Sequence, residues 1–136
     1  MAHTYNADQH REYLTLIDHV GAHWMTVFSG DTDFYSAVYW DLLTRVWKAG
    51  GPVRKTDALG FMTGVKSAQT AGKYIDTALA KGLLVETDNP EDGRSRLIAL
   101  SDDMQARLDT FFDNCVDELR RAGKRVDELG PSPALD

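Results

Sequence analysis

Polar side chains recur along a predicted helix in the middle of the chain. Ser67 precedes this helix, Gln69, Lys73 and Thr77 follow at steps of four, and Thr70 lies beside them. Steps of four place side chains on one helix face. A glutamine amide can bind adenine through two hydrogen bonds, and a lysine can reach guanine or a phosphate. Hydroxyls near a helix N-terminus can bind phosphate oxygens. The pattern indicates a face suited to duplex DNA, although an ordinary solvated helix face has the same polar residues.

The opposite side of the same helix is apolar, which fixes its orientation. Its members are Ala71, Ile75, Ala78 and Leu79. Ser67 is a typical N-cap, and Gly82 stands where a C-cap glycine is expected, so the helix should end near Lys81. Gly72 leaves room for close approach to a ligand on the polar side.

Two arginines follow the tip of a predicted hairpin. The strands are expected at 83–87 and 97–100, with a polar loop and an Asp-Gly near its tip between them. Arg94 and Arg96 are two residues apart, so on a strand they point to the same face. Arginine is attracted by the negative potential of a narrow minor groove, and Asp92 is close enough to orient Arg94 by a salt bridge. A solvated hairpin whose charges serve solubility is the alternative.

The remaining apolar periodicity predicts the elements that position these groups. A first helix is expected over 11–29, ended by Gly30, and a second has cap candidates at 31–33 and is stopped by 50–52. The first stripe consists of Leu14, Ile17, Val20, Trp24 and Val27, with Tyr13 and Phe28 beside them. The second stripe consists of Phe34, Val38, Leu42, Val46 and Trp47.

Three shorter signals complete the order of elements. Val53 is expected to start a short strand, and Thr56 and Asp57 to cap a brief helix that reaches Met62. Ser101 should cap a single long last helix. Its apolar seam runs through Met104, Leu108, Phe111, Cys115, Leu119, Ala122, Val126 and Leu129.

This order predicts a mostly α fold with a small β-hairpin, the winged helix-turn-helix, in one domain over 1–136. In that motif the second of two short helices enters the major groove and the hairpin, or wing, reaches alongside. Residues 53–101 would form the DNA-binding core. The helices within 11–50 and 102–129 would flank it as a dimerisation region.

The stretch from 53 to 101 resembles the multiple-antibiotic-resistance regulator (MarR) family. The resemblance rests on these residues: Ser67, Thr70, Ile75, Leu79, Lys81-Gly82-Leu83-Leu84-Val85, Asp88, Asp92-Gly93-Arg94 and Leu100-Ser101. It implies a homodimeric transcription regulator, joined through its terminal helices, that binds double-stranded DNA with one wing at each half-site. For many members it also implies a small phenolic or other aromatic ligand that releases the DNA.

Composition is compatible with this interpretation. The net charge is −6, yet residues 52–100 carry seven basic and six acidic side chains, so the middle of the chain is locally at +1. This asymmetry can steer a polyanion toward the middle. The polar N-terminus has no secretory signal, no apolar run is long enough to span a bilayer, and a single cysteine fits a reducing compartment. A cytoplasmic protein is therefore expected.

Other candidate sites give the alternatives. His19 and His23 have a spacing that can bind metal, but no third ligand is evident, so no metal site is predicted. Cys115 lies on the apolar seam, which favours a buried thiol over a peroxide sensor. Aromatic side chains that could line a ligand pocket, or simply fill the core, are Trp24, Phe28, Tyr39 and Trp40.

The sequence resembles no catalytic triad, phosphate loop or paired-carboxylate site, so an enzyme is not expected and no cofactor is predicted. The alternative functions are a winged-helix protein-interaction module without DNA binding, or a small-ligand or metal sensor.

Overall fold

The first helix begins at a capping box. The computed structural model describes residues 3–131 and 133, and α1 spans Ala7–Val27. The Asn6 side-chain oxygen accepts the backbone N–H of Gln9 at 2.8 Å, and the Gln9 side-chain oxygen accepts that of Asn6 at 2.9 Å. This pair satisfies two N–H groups that a helix start leaves without intrahelical partners. The helix therefore starts four residues before its predicted position.

The second helix begins later than predicted. The chain first makes a 3₁₀ turn over Thr32–Phe34, where the Asp31 carboxylate accepts the backbone N–H of Asp33 at 3.1 Å. α2 (Ala37–Ala49) then follows its N-cap Ser36, whose hydroxyl oxygen accepts the backbone N–H of Tyr39. The predicted cap at 31–33 was wrong, because its acidic residues serve the 3₁₀ turn instead.

Three short strands form one antiparallel sheet. They are β1 (Val53–Arg54), β2 (Leu84–Asp88) and β3 (Arg96–Leu100), in the order β1-β3-β2. Ile98 lies opposite Val53 on one side and Glu86 on the other, and its side chain is fully buried. The short strand at Val53 and the hairpin are thereby confirmed.

Two helices lie between β1 and β2 in the chain. α3 spans Lys55–Leu59 and α4 spans Ala68–Ala80. Arg54 is the N-cap residue of α3 and makes no side-chain capping bond. Thr56 and Asp57 therefore lie inside α3, and their predicted role as caps was wrong.

Glycine ends α4 as predicted. Gly82 has φ +74°, in the left-handed region that glycine adopts without strain. The N–H of Gly82 donates to the carbonyl of Leu79, and the N–H of Leu83 donates to that of Ala78 at 2.9 Å. These two bonds are the Schellman arrangement, which turns the chain directly from α4 into β2.

The last helix is long and continuous, as predicted. α5 spans Asp102–Leu129, and the Ser101 hydroxyl oxygen accepts the backbone N–H of Met104 at 3.1 Å. Asp102 and Asp103 place negative charge in its first turn, where the helix dipole favours it.

The chain divides into two compact units. The winged unit consists of Asp31–Asp109, and the helical unit consists of the residues up to Gly30 together with those from Thr110 onward. The fully buried side chains of the winged unit include Leu42, Leu43, Met62, Ile75, Leu84 and Ile98. Of the helices described, none has the length and apolar character needed to cross a membrane.

In the helical unit α1 runs antiparallel to the later part of α5. The Gln9 amide donates to the carbonyl of Val126 at 3.0 Å, and Glu12 pairs with Arg125. Further along, the ring of Trp24 packs edge-on against Phe111 with centroids 5.3 Å apart. The apolar seam of α5 is buried at Phe111 and Ala122 but leaves Leu119 58% exposed.

Candidate nucleic-acid interface

The amphipathic character of α4 is confirmed. Ala71, Ile75 and Ala78 are buried, and Leu79, predicted beside them, is half-buried. The polar residues predicted to contact DNA are all exposed: Ser67, Gln69, Thr70, Lys73 and Thr77 on α4, and Arg94 and Arg96 on the hairpin.

At the start of α4 two hydroxyls are already ordered. Ser67 accepts the backbone N–H of Thr70 at 3.1 Å, and its own hydroxyl donates to Thr70 Oγ1 at 2.9 Å. The Ser67 hydrogen is thus used within the protein, whereas the Thr70 hydroxyl keeps its own O–H to donate, close to the positive end of the helix dipole. This is a geometry that suits an anionic oxygen such as that of a phosphate.

Gln69 lies in the first turn of the exposed face, and Lys73 lies one turn further on. Among the described residues none forms an ion pair with the Lys73 ammonium, so its charge is available to an external anion. Asp76 lies on the same side one turn further on, 3.8 Å from the Lys55 ammonium. The face is thus basic toward the start of the helix and acidic toward its end.

Thr77 differs from the other predicted contacts. Its hydroxyl donates to the backbone carbonyl of Lys73 at 3.0 Å, and it also hydrogen-bonds Tyr39. Tyr39 is buried, and this burial raises the pKa of its hydroxyl. Thr77 therefore connects α4 to the core of the winged unit.

The hairpin tip is a series of local turns. Asn89 Oδ1 accepts the backbone N–H of Glu91, and Asp92 Oδ1 accepts that of Arg94, each at 3.0 Å. The expected salt bridge from Asp92 to the Arg94 guanidinium was therefore wrong, because the carboxylate holds the backbone of the turn. No carboxylate of the described residues pairs with the Arg94 guanidinium.

Arg96 does not share a strand face with Arg94, because β3 begins only at Arg96. Its guanidinium pairs with Asp88, which lies directly opposite on β2, and its Nε is 3.5 Å from Glu86. Glu86 also accepts a hydrogen bond from Lys55 at 3.2 Å. These contacts lower the pKa of the Glu86 carboxyl, with the hydrogen bond from Lys55 as the main cause.

Sequence reasoning missed the roles of Lys55, Glu86 and Asp88. Their signal was present in part, because Glu86 and Asp88 are two apart on β2 and so share a face. The partner Arg96 could be assigned only once the register of the hairpin was known.

The four aromatic ligand candidates are mostly packed side chains. Trp24 and Phe28 stack edge-on at 4.9 Å, and Tyr39 packs between Phe34 at 4.7 Å and Tyr74 at 5.4 Å. Trp24, Phe28 and Tyr39 are buried, and Trp40 is half-buried.

The histidine pair has a partner that the sequence did not reveal. Glu118 accepts hydrogen bonds from His19 Nδ1 at 2.9 Å and His23 Nε2 at 3.3 Å. These bonds lower the pKa of the Glu118 carboxyl, that from His19 most strongly. Over residues 3–131 and 133, no group of three histidine, cysteine or acidic side chains is arranged to hold a metal ion.

Cys115 is half-buried near Glu118. Burial, and next the negative charge of Glu118, raises the pKa of its thiol. At neutral pH the sulfur stays protonated, and the thiolate is the form that reacts with oxidants.

No protein-family model matches the chain, and no curated protein matches it. Solved structures do match it. The RV1404 protein of Mycobacterium tuberculosis is 16% identical, with a TM-score of 0.65 over 91% of this chain and 84% of that one. The transcriptional regulator Tm0710 of Thermotoga maritima is 17% identical, with a TM-score of 0.55 over 93% and 83%.

A mutant MarR of Escherichia coli, complexed with operator DNA, is 12% identical, with a TM-score of 0.52 over 92% of this chain and 95% of that one. The chain therefore has the winged helix-turn-helix fold found in MarR. The resemblance drawn from the residues between 53 and 101 is confirmed at the level of the fold.

Proposed function

We propose that this chain is a DNA-binding transcription regulator that works as a homodimer on a palindromic duplex site. The observation that carries this proposal is the exposed face of α4, on which Gln69 lies in the first turn beside the Ser67 cap and Lys73 lies one turn further on. In this fold the corresponding helix is the one that enters the major groove. The operator DNA bound to MarR of Escherichia coli supports the same use of the fold.

Each group on this face has a role that its chemistry supports. Ser67 and Thr70 would contact phosphate oxygens and set the register of the helix on the duplex. Gln69 would contact an adenine edge, and Lys73 a guanine or a phosphate. In the wing, Arg94 would reach the minor groove or the backbone beside it. Thr77 and Arg96 would act at most through other residues, because their polar groups are engaged within the protein.

The homodimer is supported by the surface of the helical unit. Large apolar side chains are exposed there on both helices: Tyr13, Leu14 and Ile17 on α1, and Val116 and Leu119 on α5. Single exposed apolar residues are normal on a monomer, whereas several on one pair of packed helices are typical of an interface. A twofold axis would place two α4 helices in successive major grooves, about 34 to 36 Å apart. The terminal helices would then form the dimerisation region and residues 53–101 the DNA-binding core.

Release by a small aromatic ligand is the finer part of the proposal. A cavity of about 360 Å³ in the helical unit is lined by Tyr5, Gln9, His10, Tyr13 and Val126. Its size lies within the range of small-molecule sites, roughly 300 to 1,000 Å³. The other candidate ligand site is the aromatic set of Trp24, Phe28, Tyr39 and Trp40. The probe is 4-hydroxybenzoate, and the measurement is its dissociation of the DNA complex. The variant that resists this dissociation, His10→Ala for the cavity or Trp40→Phe for the aromatic set, identifies the ligand site.

Selection of duplexes from a random-sequence pool tests the main proposal. The unmodified protein should enrich one inverted repeat and bind it more weakly as salt rises. Gln69→Ala should relax the preference at one base position, with a loss of about 1 to 3 kcal/mol on the selected duplex and little on random DNA. Gln105→Ala, an exposed glutamine on α5, is the matched control and should leave both affinities unchanged.

A protein-interaction module is the second candidate, and Asp76 favours it. Its side chain is 69% exposed on the face proposed to read DNA, in a protein of net charge −6. If the unmodified protein selects no duplex, or if Gln69→Ala binds every duplex as well as the unmodified protein does, this candidate becomes the better account.

A further inference from the structure

Five charged side chains form a connected network that includes one face of the wing. Glu86 contacts Lys55 at 3.2 Å and Arg96 at 3.5 Å, Lys55 also contacts Asp76 at 3.8 Å, and Arg96 contacts Asp88. The members lie on α3, α4, β2 and β3. The network therefore joins the wing to the helix proposed to read DNA.

The register of the hairpin explains why these charges meet. On β2, Leu84, Glu86 and Asp88 share one face, and Leu84 is buried in the core of the winged unit. Asp88 lies directly opposite Arg96 on β3. Along this face the side chains change from apolar, deep in the unit, to charged toward the tip.

Glu86 is the central and best sheltered member, with one cation on each side of it. Its side chain is 26% exposed and that of Lys55 is 31% exposed, whereas Asp88 is 91% exposed. Isolated surface pairs contribute little, but a partly sheltered carboxylate shared by two cations belongs to a network and is screened less by water. The lowered pKa of Glu86 has the same origin.

We infer that Glu86 is a positioning residue that fixes the wing relative to α4 through Lys55 and Asp76. Arg94 on the wing and Gln69 on α4 can then contact the same DNA site at the same time. This inference rests on the proposed function. It also assigns Arg96 a new role, in which its guanidinium links the two strands of the wing through Glu86 and Asp88 and would not contact DNA.

A competing role for the Glu86 carboxylate predicts a different change in DNA binding when Glu86 is neutralised. If Glu86 only competed with phosphates for Lys55 and Arg96, its neutralisation would strengthen binding to every duplex. If Glu86 positions the wing, its neutralisation lowers the preference for the selected sequence, because two reading elements lose their fixed separation.

Glu86→Gln is therefore compared with Glu91→Gln, which removes the same charge from the wing loop outside the network. The measurement is the ratio of affinities for the selected and a random duplex. Glu86→Gln should lower this ratio about tenfold, a typical size for coupled contacting residues, and Glu91→Gln should leave it unchanged. The double variant with Lys55→Met and Glu86→Gln should lower this affinity ratio no further than either single variant does. A ratio that stays constant while both affinities rise would overturn the inference.

A second readout needs no DNA. Amide hydrogen exchange of β2 and β3 should be faster in Glu86→Gln than in Glu91→Gln, whereas exchange of the α4 amides should be equal in the two variants. Equal exchange in the two variants would overturn the inference even if DNA binding changed. If the unmodified protein selected no duplex, the proposed function would fail, and the exchange comparison would still decide whether Glu86 fixes the wing.

Discussion

The hydroxyl oxygen of Ser67 lies 3.1 Å from the backbone nitrogen of Thr70 and accepts its hydrogen bond. This contact satisfies one of the N–H groups that the start of α4 leaves without an intrahelical partner. One residue therefore stabilises the proposed recognition helix and, in the proposed function, lies next to a DNA phosphate. The two roles can be separated by substitution.

Ser67→Ala should lower the free energy of unfolding by about 1 kcal/mol, because the N-cap is lost. Ser67→Asp should restore that stability, since aspartate also caps and its charge suits the positive end of the helix dipole. It should nevertheless weaken DNA binding, because the carboxylate repels phosphates. Thermal unfolding and duplex titration measure the two effects. DNA binding by Ser67→Asp equal to that of the unmodified protein would place this helix end away from the duplex.

Ile75 and Gln69 test the two sides of α4 against each other. Ile75 is fully buried, so Ile75→Ala should lower the free energy of unfolding by about 2 to 5 kcal/mol. Gln69 is exposed, so Gln69→Ala should change it by less than about 0.5 kcal/mol. Urea denaturation of both variants checks the comparison. A destabilisation of similar size in both would mean that Gln69 serves packing.

The features predictable from the sequence were mainly local ones. Ser67 and Ser101 were identified as caps and Gly82 as a helix end, because each acts on the backbone within about one helical turn. Buried positions of α4 such as Ile75 followed from the helical period. Asp31 was misassigned because the 3₁₀ turn and α2 start within a few residues of each other, and both accept the same capping types.

The features that could not be predicted depend on residues distant in sequence. Glu86 and Arg96 meet only because of the strand register, and Glu118 meets His19 only because α5 folds back along α1. The error at Asp92 had a different cause. A carboxylate two residues before an arginine can bind either its guanidinium or its backbone N–H, and composition does not decide between them.

Arg94 tests the wing. Arg94→Ala should weaken binding to the selected duplex by about 1 to 3 kcal/mol, and lower the salt slope by about 1 if a phosphate contact is lost. Thermal stability should not change, because the residue is exposed in a turn. Arg120→Ala, an exposed arginine in the helical unit, removes the same charge as the control. Equal losses of affinity in the two variants would mean that Arg94 acts only through the net charge of the protein.

Glu118 gives the helical unit a pH dependence in acid. Hydrogen bonds from His19 and His23 hold the pKa of this carboxyl below its ordinary value of 4.5. A depressed pKa stabilises the folded state above the unfolded value, and this contribution is lost as the pH falls through the folded value. Glu118→Gln should therefore lower the Tm at pH 6 to 7, and the difference from the unmodified protein should disappear in strong acid.

Glu128→Gln is the matched control for that experiment, because it removes the same charge from an exposed position on α5. Circular dichroism during heating, repeated across the acid range, gives the Tm of each variant. A Tm difference for Glu118→Gln that stays constant down to the lowest pH would show that the ionised carboxylate contributes no stability.

Leu119 tests the proposed homodimer. Its side chain lies on the apolar seam of α5 and is 58% exposed, in the same unit as Leu14, which is 59% exposed. Covering such side chains in a dimer removes apolar area from water, and a glutamate there would bury a charge without a partner. Leu119→Glu should therefore convert a dimer into a monomer at micromolar concentration, as measured by sedimentation velocity. Val85→Glu is the control, because Val85 is 44% exposed on β2 in the winged unit and should leave the dimer intact.

Leu119→Glu also links assembly to DNA binding. A dimer contacts two half-sites at once, so the second contact benefits from a high effective concentration. Leu119→Glu should keep the affinity of the unmodified protein for a single half-site and lose the extra affinity for the full inverted repeat, whereas a folding defect would weaken both. If the unmodified protein sediments as a stable monomer at micromolar concentration, the homodimer is excluded and the exposed side chains of α1 and α5 must serve a different partner.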